Sequence, residues 1–162
     1  MGVRKFLLLK ADIDREIAQI ERLLDESRSD LSGVGGIPSR LEVRGVASVL
    51  HDFYSGVERV FERIAVELDG ELPRGGDWHS QLLNRMEEEV EGVRPRVLTS
   101  DLAERLRLFL RFRHLFRNIY GGKLSWERST ELLAEADEVW PLFQQQVQEF
   151  KGVLTDLHDG CQ

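Results

Sequence analysis

Residues 100–122 read SDLAERLRLFLRFRHLFRNIYGG. Ser100 and Asp101 are helix-capping residue types and Gly121-Gly122 is a stop, so the segment between them reads as one helix. Placing Leu102 at zero and advancing about 100° per residue, Leu102, Leu106 and Leu110 fall within roughly 80° of one another. Leu108, Phe109, Phe112, Leu115, Phe116 and Ile119 fill the arc from about 220° to 340°. An arc that wide is expected to be buried on more than one side, which happens inside a bundle of helices and not on a solvated surface.

Helical periodicity continues outward in both directions. Phe6, Leu9, Ile13, Ile17, Ile20 and Leu24 form one stripe, which SDLSGVGGIPSR (29–40) interrupts with glycines and Pro38. Val46, Leu50, Phe53, Val57, Val60, Ile64 and Leu68 form a second, implying a helix of roughly 28 residues and about 42 Å. Gly45 and Gly56 weaken that helix, and close packing against a neighbour is the expected reason for both. After DGELPRGG (69–76), Asp77 is expected to cap a short third helix carrying Trp78, Leu82, Leu83 and Met86. EGVRPRV (91–97) is a further break. Ser125 is expected to cap a last helix with Leu132, Ala136, Val139, Phe143, Val147, Phe150, Leu154 and Leu157 on its stripe, and Pro141 should kink or split it near Trp140. Neither a strand nor a repeat is apparent. The fold class is all-α, an up-and-down antiparallel bundle of four or five helices forming a single domain over residues 1–162.

Composition sets the class of partner. With 41% hydrophobic and 31% charged residues over 162 positions, the chain reads as a soluble globular domain able to bury a core. No apolar run approaches the roughly 20 residues of a membrane span. The N-terminal stretch Phe6–Leu9 is too short for a signal peptide, and Phe6 stands where a myristoylation motif at Gly2 needs Ser or Thr. The lone Cys161 cannot form an intrachain disulfide, so a reducing cytoplasm is expected. The net charge of −7 argues against a non-specific nucleic-acid binder. Yet Arg105, Arg107, Arg111, Arg113 and Arg117 follow one another with no acid between, and removing those five charges leaves −12 on the rest. A basic island on an acidic body suits one anionic ligand, although a solvated helix face gives the same pattern.

The quoted helix changes character toward its end. Tyr120 falls at zero, Arg113 at about 20° and Arg117 at about 60°, the angles the three leucines hold two and three turns earlier. His114, Asn118 and Arg111 follow at about 120°, 160° and 180°. Arg113, Arg117 and Tyr120 therefore extend a packed surface, where charges need partners. Two explanations stand: carboxylates of a neighbouring helix, or a cleft for an anion within one chain or across a dimer.

Other residues carry less. His79, after Trp78, reads as a first-turn surface or capping residue, with reach into the basic cleft as the alternative. His51 and Asp52 are adjacent and should not share a helix face. With His158 these exhaust the remaining histidines, and no spacing among His, Cys or acidic residues suits a metal, so no metal or cofactor is expected. GVGG (33–36) reads as a linker. MEEEVE (86–91) reads as a solvated acidic face, or as a partner for arginines of another chain. Trp126 and Trp140 read as core or interface aromatics.

RHLFRNIY (113–120) resembles the signature helix of HEPN domains, in particular of HepT-like toxins, whose pattern is Arg, a polar residue, three more, His, any residue, Tyr. Arg113, His114 and Tyr120 match it, and Asn118 stands in the histidine place. LHDFYSGVERVFERIA (50–65) and YGGKLSWER (120–128) are similar to the same group. The resemblance implies a four- or five-helix bundle that forms a homodimer with its motif helices facing each other, and a metal-independent endoribonuclease acting on RNA. It implies a toxin paired with a nucleotidyltransferase antitoxin that adenylylates Tyr120. By that resemblance Arg113, Asn118 and His114 are the catalytic positions, and Arg111, Arg117 and Tyr120 contact substrate.

The residue types suit the reaction, with one exception. Metal-free RNA cleavage needs a group to take the 2′-hydroxyl proton and donors for the charge growing on phosphorus. Arginine supplies a planar fork of donors and histidine exchanges protons near neutrality. An asparagine amide is no base. Asn118 therefore implies a weakened nuclease, a base at His114 one turn earlier, or a non-catalytic module that binds RNA or nucleotide.

Overall fold

The computed structural model describes residues 2–118 and 124–159, and among these residues the chain is a helical bundle with no strand. Its helices are α1 (Val3–Ser32), α2 (Arg40–Ile64), α3 (Trp78–Glu87), α4 (Ser100–Asn118) and α5 (Trp126–Asp159), and one π-helical turn, Ala65–Asp69, extends α2. The all-α reading and the order of the elements hold. No described helix is long and apolar enough to cross a membrane. Cys161 and the expected stop at Gly121-Gly122 lie outside the described residues.

α2 is the axis of the bundle and touches every other helix. Its start is fixed by a capping box that periodicity alone does not reveal: the Ser39 hydroxyl accepts from the Glu42 amide at 3.2 Å, and the Ser39 amide donates to Glu42 Oε2 at 2.6 Å. Leu50, Phe53, Tyr54, Val57, Val60, Phe61 and Ile64 are fully buried, in one core with Ile13 and Leu24 of α1, Leu106 and Phe109 of α4, and Val139 and Phe143 of α5. The two glycines of α2 separate. A Cβ on Gly56 would stand 2.6 Å from Ile20 Cγ1, so α1 crosses α2 at a distance only glycine permits. A Cβ on Gly45 would meet nothing within 4 Å, so the packing reason expected there is corrected.

Several local expectations give way to longer-range contacts. α5 runs unbroken through Pro141, not split near Trp140. Pro141 is exposed, and its ring leaves the carbonyl one turn earlier without an intrahelical donor. On α5, Leu133 takes the core position expected of Leu132, and Leu157 is exposed. Ser125 caps α5 as expected, accepting from the Arg128 amide at 3.2 Å. At the start of α4 the capping oxygen belongs to Thr99, one residue before the expected Ser100 or Asp101: it accepts from the Leu102 amide at 3.4 Å. Gln146 of α5 holds Thr99 in turn through its amide and hydroxyl, at 2.9 and 3.0 Å. At α3 the Asp77 carboxylate caps no backbone N–H and accepts from the Gln81 side chain at 2.6 Å.

The link from α3 to α4 is built around Arg94. Gly92 sits at φ 71°, a left-handed conformation that closes the turn between Val90 and Arg94. The Arg94 side chain is fully enclosed. Nε and Nη2 donate to the two carboxylate oxygens of Asp69 at 2.6 and 2.9 Å. Nη1 and Nη2 donate further to the carbonyls of Glu88, Pro95 and Arg85 at 3.0 to 3.2 Å. All five guanidinium hydrogens have an acceptor. This knot fixes where α4 begins, and so where its arginines end.

Candidate functional site

α4 presents less buried surface than its apolar arc implied. Leu102, Ala103, Leu106 and Phe109 are buried, whereas Leu108 and Leu115 are 43% and 52% exposed. The four buried residues share one arc of roughly 120°, so the expected burial on more than one side is corrected: the opposite arc, with Leu108 and Leu115, is open.

Between α3 and the second half of α4 lies a cleft of about 420 Å³, lined by Asp77, His79, Arg107, Arg111, Arg113, His114 and Arg117, among others. Four of the five arginines meet there. Arg105 turns the other way and pairs with Glu135 of α5 at 2.5 Å. Arg107 is tied down by Glu104 at 2.9 Å, by Asn84 at 2.8 Å and by Glu87. The acidic run is corrected at one residue: Glu88, Glu89 and Glu91 are exposed as expected, but Glu87 pairs with Arg107 in its own chain. Arg111 is loosely held, 3.7 Å from Glu104, and Arg117 has no acid partner among the described residues.

Arg113 is the buried member of the set, with 14% of its side chain exposed. Its Nη1 donates to Glu58 Oε1 at 2.6 Å, and Glu58 is itself 3% exposed on α2. The second Glu58 oxygen lies 2.7 Å from His79 Nδ1. Arg113 Nη1 stands 3.3 Å from the same Nδ1. The shorter contact makes Nδ1 a donor to Glu58, and in the neutral imidazole Nε2 is then the nitrogen that can accept. That nitrogen has no partner among the described residues, and the ring packs against Trp78 at a centroid distance of 3.7 Å. Arg113 Nε is buried with no acceptor, and so is the Tyr54 hydroxyl one turn before Glu58. Burial pushes the Tyr54 phenol well above its ordinary range, with Glu58 adding to it, so the group stays neutral. Glu62, a turn beyond Glu58, is raised by burial and then by the Glu58 charge.

Both explanations left open for the arginines are therefore present in one place. A carboxylate of a neighbouring helix does hold Arg113, and a cleft does open beside it. His79 is no cap or isolated surface residue; it reaches the cleft and is bonded to Glu58. His114 and Arg111 line the cleft as exposed residues. Asn118 is exposed, and its amide donates to the His114 carbonyl at 2.8 Å, with His114 Nε2 3.5 Å away. Tyr120 lies outside the described residues. His51 departs from expectation, since its Nδ1 lies 3.2 Å from Asp52 Oδ1 despite their adjacency; its ring also packs on Phe116, at 5.5 Å.

Glu58 and Tyr54 escaped the sequence reading, although a signal existed. At about 100° per residue Tyr54, Glu58, Phe61 and Ala65 share a narrow arc of α2. A single acid on an apolar stripe announces a buried partner. What the arrangement offers is donors for an anion, one imidazole held by a carboxylate, and a second imidazole in solvent.

Comparison with known proteins carries the assignment further than geometry. No curated protein matches the chain. A family model described as HepT-like protein matches residues 45–154, from the second turn of α2 into the last turns of α5, including Glu58, His79 and the whole of α4. The all-α bundle agrees with that match, which covers more than half of the chain, and the chain belongs to the HepT-like protein family, related to HEPN domains.

Proposed function

We propose that this protein is a metal-independent RNA endonuclease and the toxin of a toxin–antitoxin pair. The observation that carries the reading is the cleft in which Arg107, Arg111, Arg113 and Arg117 converge with two imidazoles, in a chain of the HepT-like family. Single-stranded RNA enters the cleft, and its phosphate takes the donors that Arg113 does not spend on Glu58. The 2′-oxygen attacks phosphorus, the bond to the 5′-oxygen breaks, and the products carry 2′,3′-cyclic phosphate and 5′-hydroxyl ends. Asn118 holds the histidine place of the motif without its basicity, so the rate is below that of a full motif.

The whole chain, residues 1–162, acts as one domain in the cytoplasm and pairs with a second copy through α4. Exposed Leu108 and Leu115, one face and seven residues apart, support that twofold contact. The antitoxin is a nucleotidyltransferase whose adenylylation of Tyr120 adds a phosphate beside the arginines and blocks RNA. Intact mass after coexpression with a neighbouring nucleotidyltransferase is expected to show an added adenylate that Tyr120→Phe abolishes.

A second reading, a non-catalytic module binding RNA or nucleotide, is favoured by one observation: the Asn118 amide is spent on its own helix. A labelled single-stranded RNA incubated with excess EDTA separates the two. Cleavage with cyclic phosphate ends that Arg113→Ala abolishes supports the nuclease. Binding without any cut, together with unaffected growth of cells expressing the chain, replaces it with the binding module.

A further inference from the structure

Asn118 leaves the proposed reaction without an obvious proton acceptor on the motif helix. His114 is the nearest imidazole in sequence, but it is exposed, no carboxylate of the described residues orients it, and its Nε2 faces the Asn118 amide at 3.5 Å. His79, 34 residues earlier in the chain than Arg113, is built differently. Its ring is 22% exposed, it lines the same cleft, and Nδ1 is fixed by Glu58 at 2.7 Å. Glu58 grips both Arg113 and His79, one oxygen to each, so phosphate donor and imidazole are held in a constant relation. A carboxylate on Nδ1 that leaves Nε2 free is the arrangement by which an imidazole is oriented to take a proton.

We propose that His79, oriented by Glu58, is the general base of this site; the proposal rests on the endonuclease reading above. His79 Nε2 removes the 2′-hydroxyl proton as O2′ bonds to phosphorus. The P–O5′ bond breaks, and the departing oxygen takes a proton from water. The imidazolium returns its proton to solvent, so no metal or redox partner enters the balance. Arg113 holds the phosphate, and Glu58 is a positioning residue that also faces the imidazolium while it carries charge. The charged groups around the ring are Glu58 and Glu62 of α2, Arg113 and Arg107 of α4, and Asp77 at the start of α3, whose carboxylate is engaged by Gln81.

The test uses the full chain and a fluorescent single-stranded RNA in EDTA, with affinity read separately by anisotropy. His79→Gln is expected to slow cleavage about 100-fold or more, at unchanged RNA affinity and melting temperature. The acid limb of the wild-type pH–rate profile should vanish with it, and added imidazole should restore part of the rate to His79→Ala. Glu58→Gln should lower the rate less and shift the limb. A wild-type rate in His79→Gln, a rate loss matched by an equal affinity loss, or no rescue by imidazole overturns the role of His79. Wild type that binds RNA and never cuts it overturns the endonuclease reading, and this proposal with it. Active wild type beside equally active His79→Gln removes only the proposal, and loss of cleavage in His114→Ala alone would move the base there.

Discussion

Arg94 and Arg113 are the same chemistry put to two uses. Each is a guanidinium withdrawn from water and paired with a carboxylate on α2 or its extension, Asp69 for the first and Glu58 for the second. Arg94 has no exposed side-chain surface, and every one of its hydrogens is matched by a carboxylate or carbonyl oxygen. Arg113 spends one nitrogen on Glu58, buries Nε without an acceptor, shares its carboxylate with a histidine, and opens on a cleft. A closed pair has nothing left to give and serves the fold. An incompletely satisfied one keeps donors in reserve at a cost in stability, and that reserve suits an incoming anion.

The sharpest way to break this contrast is to remove each arginine. Arg94→Met leaves Asp69 charged and buried and is expected to cost about 3–5 kcal/mol in urea unfolding. Arg113→Met leaves Glu58 with His79 as a partner, so the loss of stability should be clearly smaller. RNA cleavage in that variant should fall about 100-fold or more. Equal destabilisation by the two substitutions, with RNA affinity retained in Arg113→Met, would make both pairs structural.

A smaller effect is expected at Asn118, which marks the open site from the side of the motif. Histidine reaches as far as asparagine, and the position is exposed, so Asn118→His should fold without repacking. A titratable group in that place could protonate the departing 5′-oxygen, a role His79 does not fill, and should raise metal-free cleavage on the order of tenfold. An unchanged rate in gel assays would mean that position 118 does not reach the departing oxygen and that the arginines and His79 act without it.

Salt dependence distinguishes free arginines from engaged ones. Arg117 has no acid partner among the described residues, so Arg117→Ala should reduce the slope of log affinity against log salt by roughly 0.7, one single-stranded phosphate contact. Arg105 belongs to Glu135, and Arg105→Ala should leave the slope as it was. Equal slopes for both variants would show that ion pairing does not sort the arginines.

The smallest expected effect concerns Glu62, the second carboxylate crowded at the open site. Its folded-state pKa is raised, by burial first, so the folded chain binds the proton more tightly than the unfolded chain. Stability is then lost as pH rises through the window from the ordinary carboxylate range up to that raised value. Above the window Glu62→Gln should melt slightly higher than wild type, and below it the two should coincide. A gain that persists in acid would assign the benefit to something other than charge.

How much of this was legible beforehand depended on range. Helix number and order, and the core faces of α1 and α2, followed from apolar spacing, because residues three or four places apart on a helix share a side. The helix that carries the arginines was legible for the same reason. Caps were less so: Thr99 outcompetes Ser100 because Gln146, 47 residues away, holds it in place. Pro141 is exposed and leaves α5 continuous, which local propensity alone does not foretell.

The sequence by itself determined an all-α bundle and the helix on which the arginines sit, since these are properties of helical period. Only the tertiary structure decided which arginines are spoken for and which imidazole joins them. Glu58, His79 and Arg113 lie on three different helices, 21 and 34 residues apart along the chain. No local rule couples them; the crossing of α1 over α2 at Gly56, the Arg94 knot and the packing of α3 on α4 bring one carboxylate between an arginine and a histidine. Pairing of buried charges is a long-range choice, because each group must find whatever partner the folded core carries to it.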